Sequence, residues 1–247
     1  MACSAGRDVA AVVLARLMQE LGDDLVGLFA TGSRVHGDFD EGSDLDLDAI
    51  VSTPRRQRRT WVVRGMEVEI LLGPRGEVVR SLERDRVSGR GVFQGMWATG
   101  IVVYDPKGVV RGLKDAAARQ WAAGPPPVRP ESVWKYRSYP ANRLADAERL
   151  MAVDEAQASY VLCDLVVRMH EAHRRLHGQW GHAKSKRALD DMAKWDPVGA
   201  DLFRRASVGT AAQRYAAARE LAEYSLRNVG GPMRRGEWET SWERVAL

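Results

Sequence analysis

Three aspartates stand at alternate positions in the stretch "GSDLDLDAIV": Asp44, Asp46 and Asp48, interleaved with Leu45, Leu47 and Ala49. In an extended strand, side chains two apart share a face, so the acids line up on one side while the apolar residues turn to a core on the other. Carboxylates at roughly 7 Å repel one another by about 2 kcal/mol at an effective dielectric near 20. That cost calls for a cation or a proton. A hard divalent ion answers it: magnesium takes oxygen ligands, uses one or two protein carboxylates and keeps positions for water and substrate phosphates.

Upstream, Gly32 and Ser33 follow the apolar run Leu25 to Ala30. Gly32 permits close backbone approach, Ser33 offers its amide and hydroxyl where a helix would begin, and Arg34 adds a charge able to meet a phosphate. Ser43, beside Asp44, is a further candidate contact. A phosphate cradle followed by a metal-binding acid pair fits a nucleoside triphosphate. Downstream, "GMEVEILL", residues 65–72, supplies two more acids on one face, Glu67 and Glu69.

The stretch "GSRVHGDFDEGSDLDLDAIV", residues 32–51, resembles the signature of the nucleotidyltransferase superfamily that includes DNA polymerase beta. Within it the chain looks most like the bacterial antibiotic nucleotidyltransferases of the aminoglycoside type. The resemblance spans roughly residues 28–72, and more loosely the helical second half. It implies that Gly32 and Ser33 are the phosphate-holding pair and that Asp44 and Asp46 are metal ligands. Asp48 matches no signature acid and is expected to be supporting or merely solvated. The family's third carboxylate falls on a neighbouring strand. There "MEVEILL" resembles the corresponding strand of streptomycin-type adenylyltransferases, which favours Glu67, while the common acid-then-apolar form favours Glu69; both stand as candidates for metal binding and catalysis.

The resemblance further implies an enzyme. It would use two Mg2+ ions and transfer a nucleoside monophosphate from an NTP, with ATP favoured, to a hydroxyl of a small molecule of the aminoglycoside class, releasing pyrophosphate. Lys184, in "HAKSKRALDDMA", could reach the triphosphate, and Asp154, Glu155 and Asp164 are further acids to inspect for proton transfer. The runner-up acceptors are tRNA or protein, as in toxin and antitoxin nucleotidyltransferases, and a different class is a non-catalytic nucleotide-binding regulator.

Elements that must position these residues are legible around them. Val9, Val13, Leu17 and Leu21 recur at helical spacing before Gly22. Strands are expected at Leu25 to Ala30, Leu45 to Val51, Thr60 to Arg64, Glu67 to Leu72 and Ile101 to Tyr104, with helices at about 78–87 and 109–123. "GPPPVRP", residues 124–130, cannot continue a helix and reads as a stiff connector. Beyond it Ala158, Leu162, Leu165, Met169, Ala172 and Leu176 form one apolar stripe, and further helical patterns follow at about 184–195 and 210–227. The fold class is therefore α+β: a mixed-sheet catalytic domain over 1–123, the connector at 124–130, and a helical acceptor-binding domain over 131–247.

The 247 residues carry 45% apolar side chains and a net charge of +4, enough for a real core and short of the basic stripe of a duplex-DNA binder. Nucleic acid is a possible partner and not the favoured one; a monomer or a homodimer both fit. Cys3 and Cys163 alone argue against a disulfide framework, and the apolar stretch at 9–15 is too short to span a membrane. A cytoplasmic protein is expected. An EF-hand calcium loop is excluded, because Ala49 and Arg55 stand where Gly and Glu are required. "PRRQRR", residues 54–59, reads as a solvated hairpin connection. His170, His173 and His177 share a helix face, with His182 nearby, a spacing that suits zinc; the adjoining Glu171, Arg174 and Arg175 favour an exposed polar face instead.

Overall fold

The computed structural model describes residues 4–36, 42–182, 185–234 and 236–237. The chain divides into two compact units, Met1–Pro126 and Pro127–Leu247.

In the first unit, α1 (Ser4–Leu21) leads into β1 (Leu25–Thr31), the single-turn α2 (Ser33–His36), β2 (Leu45–Val51), β3 (Gln57–Val63) and β4 (Met66–Pro74). Helices α3 (Arg75–Ser88) and α4 (Val92–Thr99), strand β5 (Ile101–Tyr104) and helix α5 (Val109–Ala123) complete it. The strands form a mixed sheet in the order β3-β4-β2-β1-β5. Only β2 and β4 are parallel; β1 is antiparallel to both β2 and β5, and β3 to β4. The β3–β4 hairpin turns on Arg64 and Gly65, both at positive φ (52° and 77°), as a two-residue turn matched to strand twist requires.

Period-two patterning sorts the sheet onto two cores. Leu45, Leu47 and Ala49 pack with Val9, Val13 and Leu17 of α1. On the opposite face Ile50 and Phe29 pack with Val78 and Leu82 of α3, Trp97 of α4 and Leu113 of α5. Phe29 and Trp97 stack at 4.3 Å, and Gly100 makes room for them, since a Cβ there would stand 2.4 Å from the Phe29 ring.

Among its described residues the second unit has helices and no strands: α6 (Pro130–Met151), α7 (Glu155–Leu176), α8 (Ala188–Ala193), α9 (Pro197–Ser207) and α10 (Ala211–Leu226). The apolar stripe of α7 is buried at Ala158, Leu162, Leu165, Met169 and Ala172, against Phe203 of α9 and Leu221 of α10.

Several boundaries differ from the sequence reading, each for a local reason. β3 starts at Gln57 rather than Thr60, because pairing with β4 extends through Arg58 and Arg59. α4 has no expected counterpart; it is short and contains Gly95. Pro130 belongs to a helix, not to the connector: its missing amide is harmless at the first helical position. α6 then runs on through an internal proline, Pro140, which hid it from a propensity reading. The helix expected near 184–195 ends at Ala193, and α9 begins at Pro197 behind an Asp196 cap. Among the described residues no helix is long and apolar enough to cross a membrane.

Trp97 is fully buried on the face that carries the acids. Trp97→Ala should cost about 3–5 kcal/mol of stability, read as a lowered denaturant midpoint of the first unit's transition.

Candidate functional site

The parallel register of β2 and β4 sets Asp46 beside Glu69 and Asp48 beside Leu71. Asp44 stands one residue before β2. One carboxylate oxygen from each of Asp44, Asp46 and Glu69 lies within 4.8 Å of the other two. Of the two acids left open on β4, the structure brings Glu69 into this group. Glu67 is exposed, paired across the hairpin with Val62, and lies outside it. At such separations each ionised pair costs roughly 3 kcal/mol at an effective dielectric near 20, and less where water reaches it.

Arg58 meets part of that cost, with its Nε 2.5 Å from Glu69 Oε1. The arginines of "PRRQRR" are therefore not simply a solvated loop. Arg58 and Arg59 lie in β3, and Arg59 donates to Glu20 at 2.8 Å.

The glycine of the upstream turn has a definite task. Gly32 follows β1 directly, where Thr31 pairs with Asp46, and its φ is +86°. An added Cβ would stand 2.0 Å from Asp46 Oδ2. Ser33, half-buried, opens the single turn of α2. Arg34 is buried at 7% exposure, and its Nε donates to the Ser43 carbonyl at 2.5 Å, so it ties α2 to the residue before Asp44. Ser43 is half-buried and supplies that carbonyl. Lys184 lies outside the described residues.

Asp48 is the residue that sequence reasoning undervalued. Far from being solvated, it is 6% exposed and its Oδ2 has no hydrogen-bond partner. Burial, with the Asp46 and Glu69 charges adding to it, pushes its pKa up to about 7. Strand alternation showed the shared face; the neighbours that close over that face, Phe29 among them, come from elsewhere in the chain. Asp48 also borders a cavity of about 500 Å³ lined further by Arg56, Arg58, Ser81, Arg84 and Phe93.

In the helical unit two of the three acids singled out for proton transfer are otherwise engaged. Asp154 caps α7, accepting from the Gln157 amide at 3.0 Å, and Asp164 accepts a hydrogen bond from the Tyr139 hydroxyl. Glu155, in the first turn of α7, is exposed. The histidine face expected at the surface is largely inside: His173, Arg174 and Arg175 are all buried. Arg174 is held by the Trp180 carbonyl at 2.7 Å.

No protein-family model matches the chain, and no curated protein does. Among solved structures it is similar to a nucleotidyltransferase-like protein from Exiguobacterium sibiricum, at 13% identity and a TM-score of 0.48, over 90% of this chain and 74% of that one. A likeness of that extent leaves the chemistry to be argued from the residues.

Asp48 binds its proton more tightly in the folded than in the unfolded chain, because its pKa rises from 3.8 to about 7. Its contribution to stability is therefore present at acid pH and lost as pH rises through about 7, at most about 4 kcal/mol over that window. Denaturant unfolding of the ion-free protein between pH 4.5 and 8 should show this decline. Asp48→Asn should flatten it, whereas parallel profiles for the two proteins would remove the assignment.

Proposed function

We propose that the first unit catalyses transfer of a nucleoside monophosphate from an NTP, ATP for preference, to a hydroxyl group of a small acceptor, with release of pyrophosphate. The observation that carries this reading is the convergence of Asp44, Asp46 and Glu69 beside the Gly32 turn. Three carboxylates within reach of one point make an all-oxygen donor set that suits Mg2+, and the arginine already drawn to Glu69 marks the same need for positive charge. Bound there, two such ions would neutralise the triphosphate and polarise the α-phosphoryl group.

The chain's own groups then have separate tasks. Gly32 keeps the backbone low enough for a phosphate to approach Asp46 without a side chain intervening. Ser33 offers its hydroxyl and amide beside that approach. Arg56, Arg58 and Arg84, around the cavity next to Asp48, attract the anionic nucleotide by charge. Glu69 is the carboxylate assigned to accept the proton of the attacking hydroxyl, since Asp154 and Asp164 are taken up by a cap and by Tyr139. The helical unit is assigned the acceptor, and a hydroxyl-bearing small molecule of the aminoglycoside class is the one to offer first.

The test is label transfer from each α-labelled NTP in Mg2+, with aminoglycosides, other hydroxyl-bearing antibiotics and bulk tRNA offered as acceptors. Label should move to a small molecule. Asp46→Asn and Glu69→Gln should each slow it by at least about 100-fold. Glu67→Gln should leave it nearly unchanged, and Gly32→Ala should behave like the loss of Asp46. Transfer to tRNA would replace the acceptor class. NTP binding without turnover on any acceptor would turn the reading toward a nucleotide-binding regulator.

A further inference from the structure

The second unit holds another group of ligand atoms, unrelated to the acids of β2. His173 lies in the last turn of α7, His177 caps its C-terminus, and Asp196 caps the N-terminus of α9. One ligand atom from each lies within 4.8 Å of the other two. These residues are mostly enclosed: His173 and Asp196 are buried and the His177 ring is partly exposed.

Each of the three has one polar atom engaged and one bare. His173 Nδ1 is 2.9 Å from Ser225 Oγ, His177 Nδ1 is 2.7 Å from the His173 carbonyl, and Asp196 Oδ1 accepts from the Gly199 amide at 2.9 Å and the Tyr224 hydroxyl at 2.8 Å. The opposite atoms, His173 Nε2, His177 Nε2 and Asp196 Oδ2, are all buried without a hydrogen bond. His173 Nε2 and Asp196 Oδ2 come within 2.8 Å, close enough for an ion pair when His173 is protonated. Buried polar atoms left bare cost about 1–3 kcal/mol each, so three that converge need an explanation.

The outer contacts match those that prepare metal ligands. A His177 Nδ1–H that donates to a carbonyl leaves the lone pair on Nε2, and a His173 Nδ1–H that donates to Ser225 does the same there. The glycine at 199 keeps the space open: a Cβ on it would stand 2.4 Å from Asp196 Oδ2 and 2.9 Å from His173 Nε2. Trp195, with its ring centroid 5.5 Å from that of His173, and Tyr224, at 6.0 Å, wall the group with aromatic surface.

We propose that His173, His177 and Asp196 form a binding site for a transition-type divalent ion, Zn2+ in the first instance, that clamps the C-terminal end of α7 to the start of α9. Two imidazole nitrogens and one carboxylate oxygen are a donor set typical of zinc, with a water completing the tetrahedron, and they differ in kind from the all-oxygen set on the sheet. Nothing in this proposal depends on nucleotidyl transfer.

The test uses the full chain, stripped with a chelator. Zn2+ is titrated by calorimetry, Co2+ is followed by its visible absorption, and the thermal midpoint is read with and without Zn2+. A single Zn2+ per chain, Co2+ bands showing nitrogen ligation, and a raised midpoint are expected. His177→Ala should abolish the bands, Gly199→Ala should block the ion by filling its space, and Tyr224→Phe should weaken binding about 10–100-fold by freeing Asp196. An Asp44→Asn, Asp46→Asn double variant should bind Zn2+ here as the parent does. Absence of stoichiometric binding would leave a plain His173–Asp196 contact and overturn the proposal. So would binding that survives all three substitutions in the helical unit, or that disappears in the double aspartate variant.

Discussion

Like charges crowded at the edge of a parallel strand pair are the constraint around which the first unit is arranged. Asp46 and Glu69 are neighbours because β2 and β4 run in the same direction with that register, and Asp44 joins them from the residue preceding β2. A slip of one residue would send one acid to the α1 side of the sheet and dissolve the group. The sheet must therefore be specified strongly enough to hold the repulsion. It is anchored from both faces: Leu45, Leu47 and Ala49 are buried toward α1, and Ile50 and Phe29 toward α3, α4 and α5.

A gradient of burial along β2 follows from the same arrangement. Asp46 keeps contact with solvent, Asp48 is enclosed, and Ile50, next on that face, is core. Each step inward raises the cost of a charge, so one row of side chains is graded from part-solvated carboxylate to proton-binding carboxyl to hydrocarbon. The turn at Gly32 completes the open end. Its positive φ and the 2.0 Å that separates a notional Cβ from Asp46 leave only hydrogen between backbone and carboxylate. Arg34 then ties α2 to Ser43, the residue before Asp44.

What could be read from the sequence was whatever depends on period and local chemistry. Alternation gave the acid face of β2, the steps of three and four gave the buried stripe of α7, and Gly32 marked a place of close backbone approach. What escaped depends on partners distant in the chain. Glu67 and Glu69 share a face, and only the β2–β4 register separates them. Asp48 cannot be told from a solvated acid until α3 and α4 cover its side of the sheet. Arg174 and Arg175 suggested a wet helix face, but such side chains can bury their stems and find carbonyls, as Arg174 does at Trp180. Helix α6 was hidden by its own prolines, one placed where proline is harmless and one tolerated in the interior.

The two ion sites proposed above would keep different metals apart without a fine balance of affinities. On the sheet the ligands are carboxylate oxygens that remain in touch with water, a setting in which a hard ion retains hydration and can exchange its waters for phosphate oxygens. Between α7 and α9 they are imidazole nitrogens and one carboxylate, enclosed by aromatic rings and held by hydrogen bonds to their outer atoms. Softness of the donors and access of water both point the same way in each group, so a magnesium ion gains little from the helical set. Zinc could still bind the sheet carboxylates, but there it would find neither nitrogen ligands nor a closed shell. Selectivity would then come from the donor atoms each unit presents.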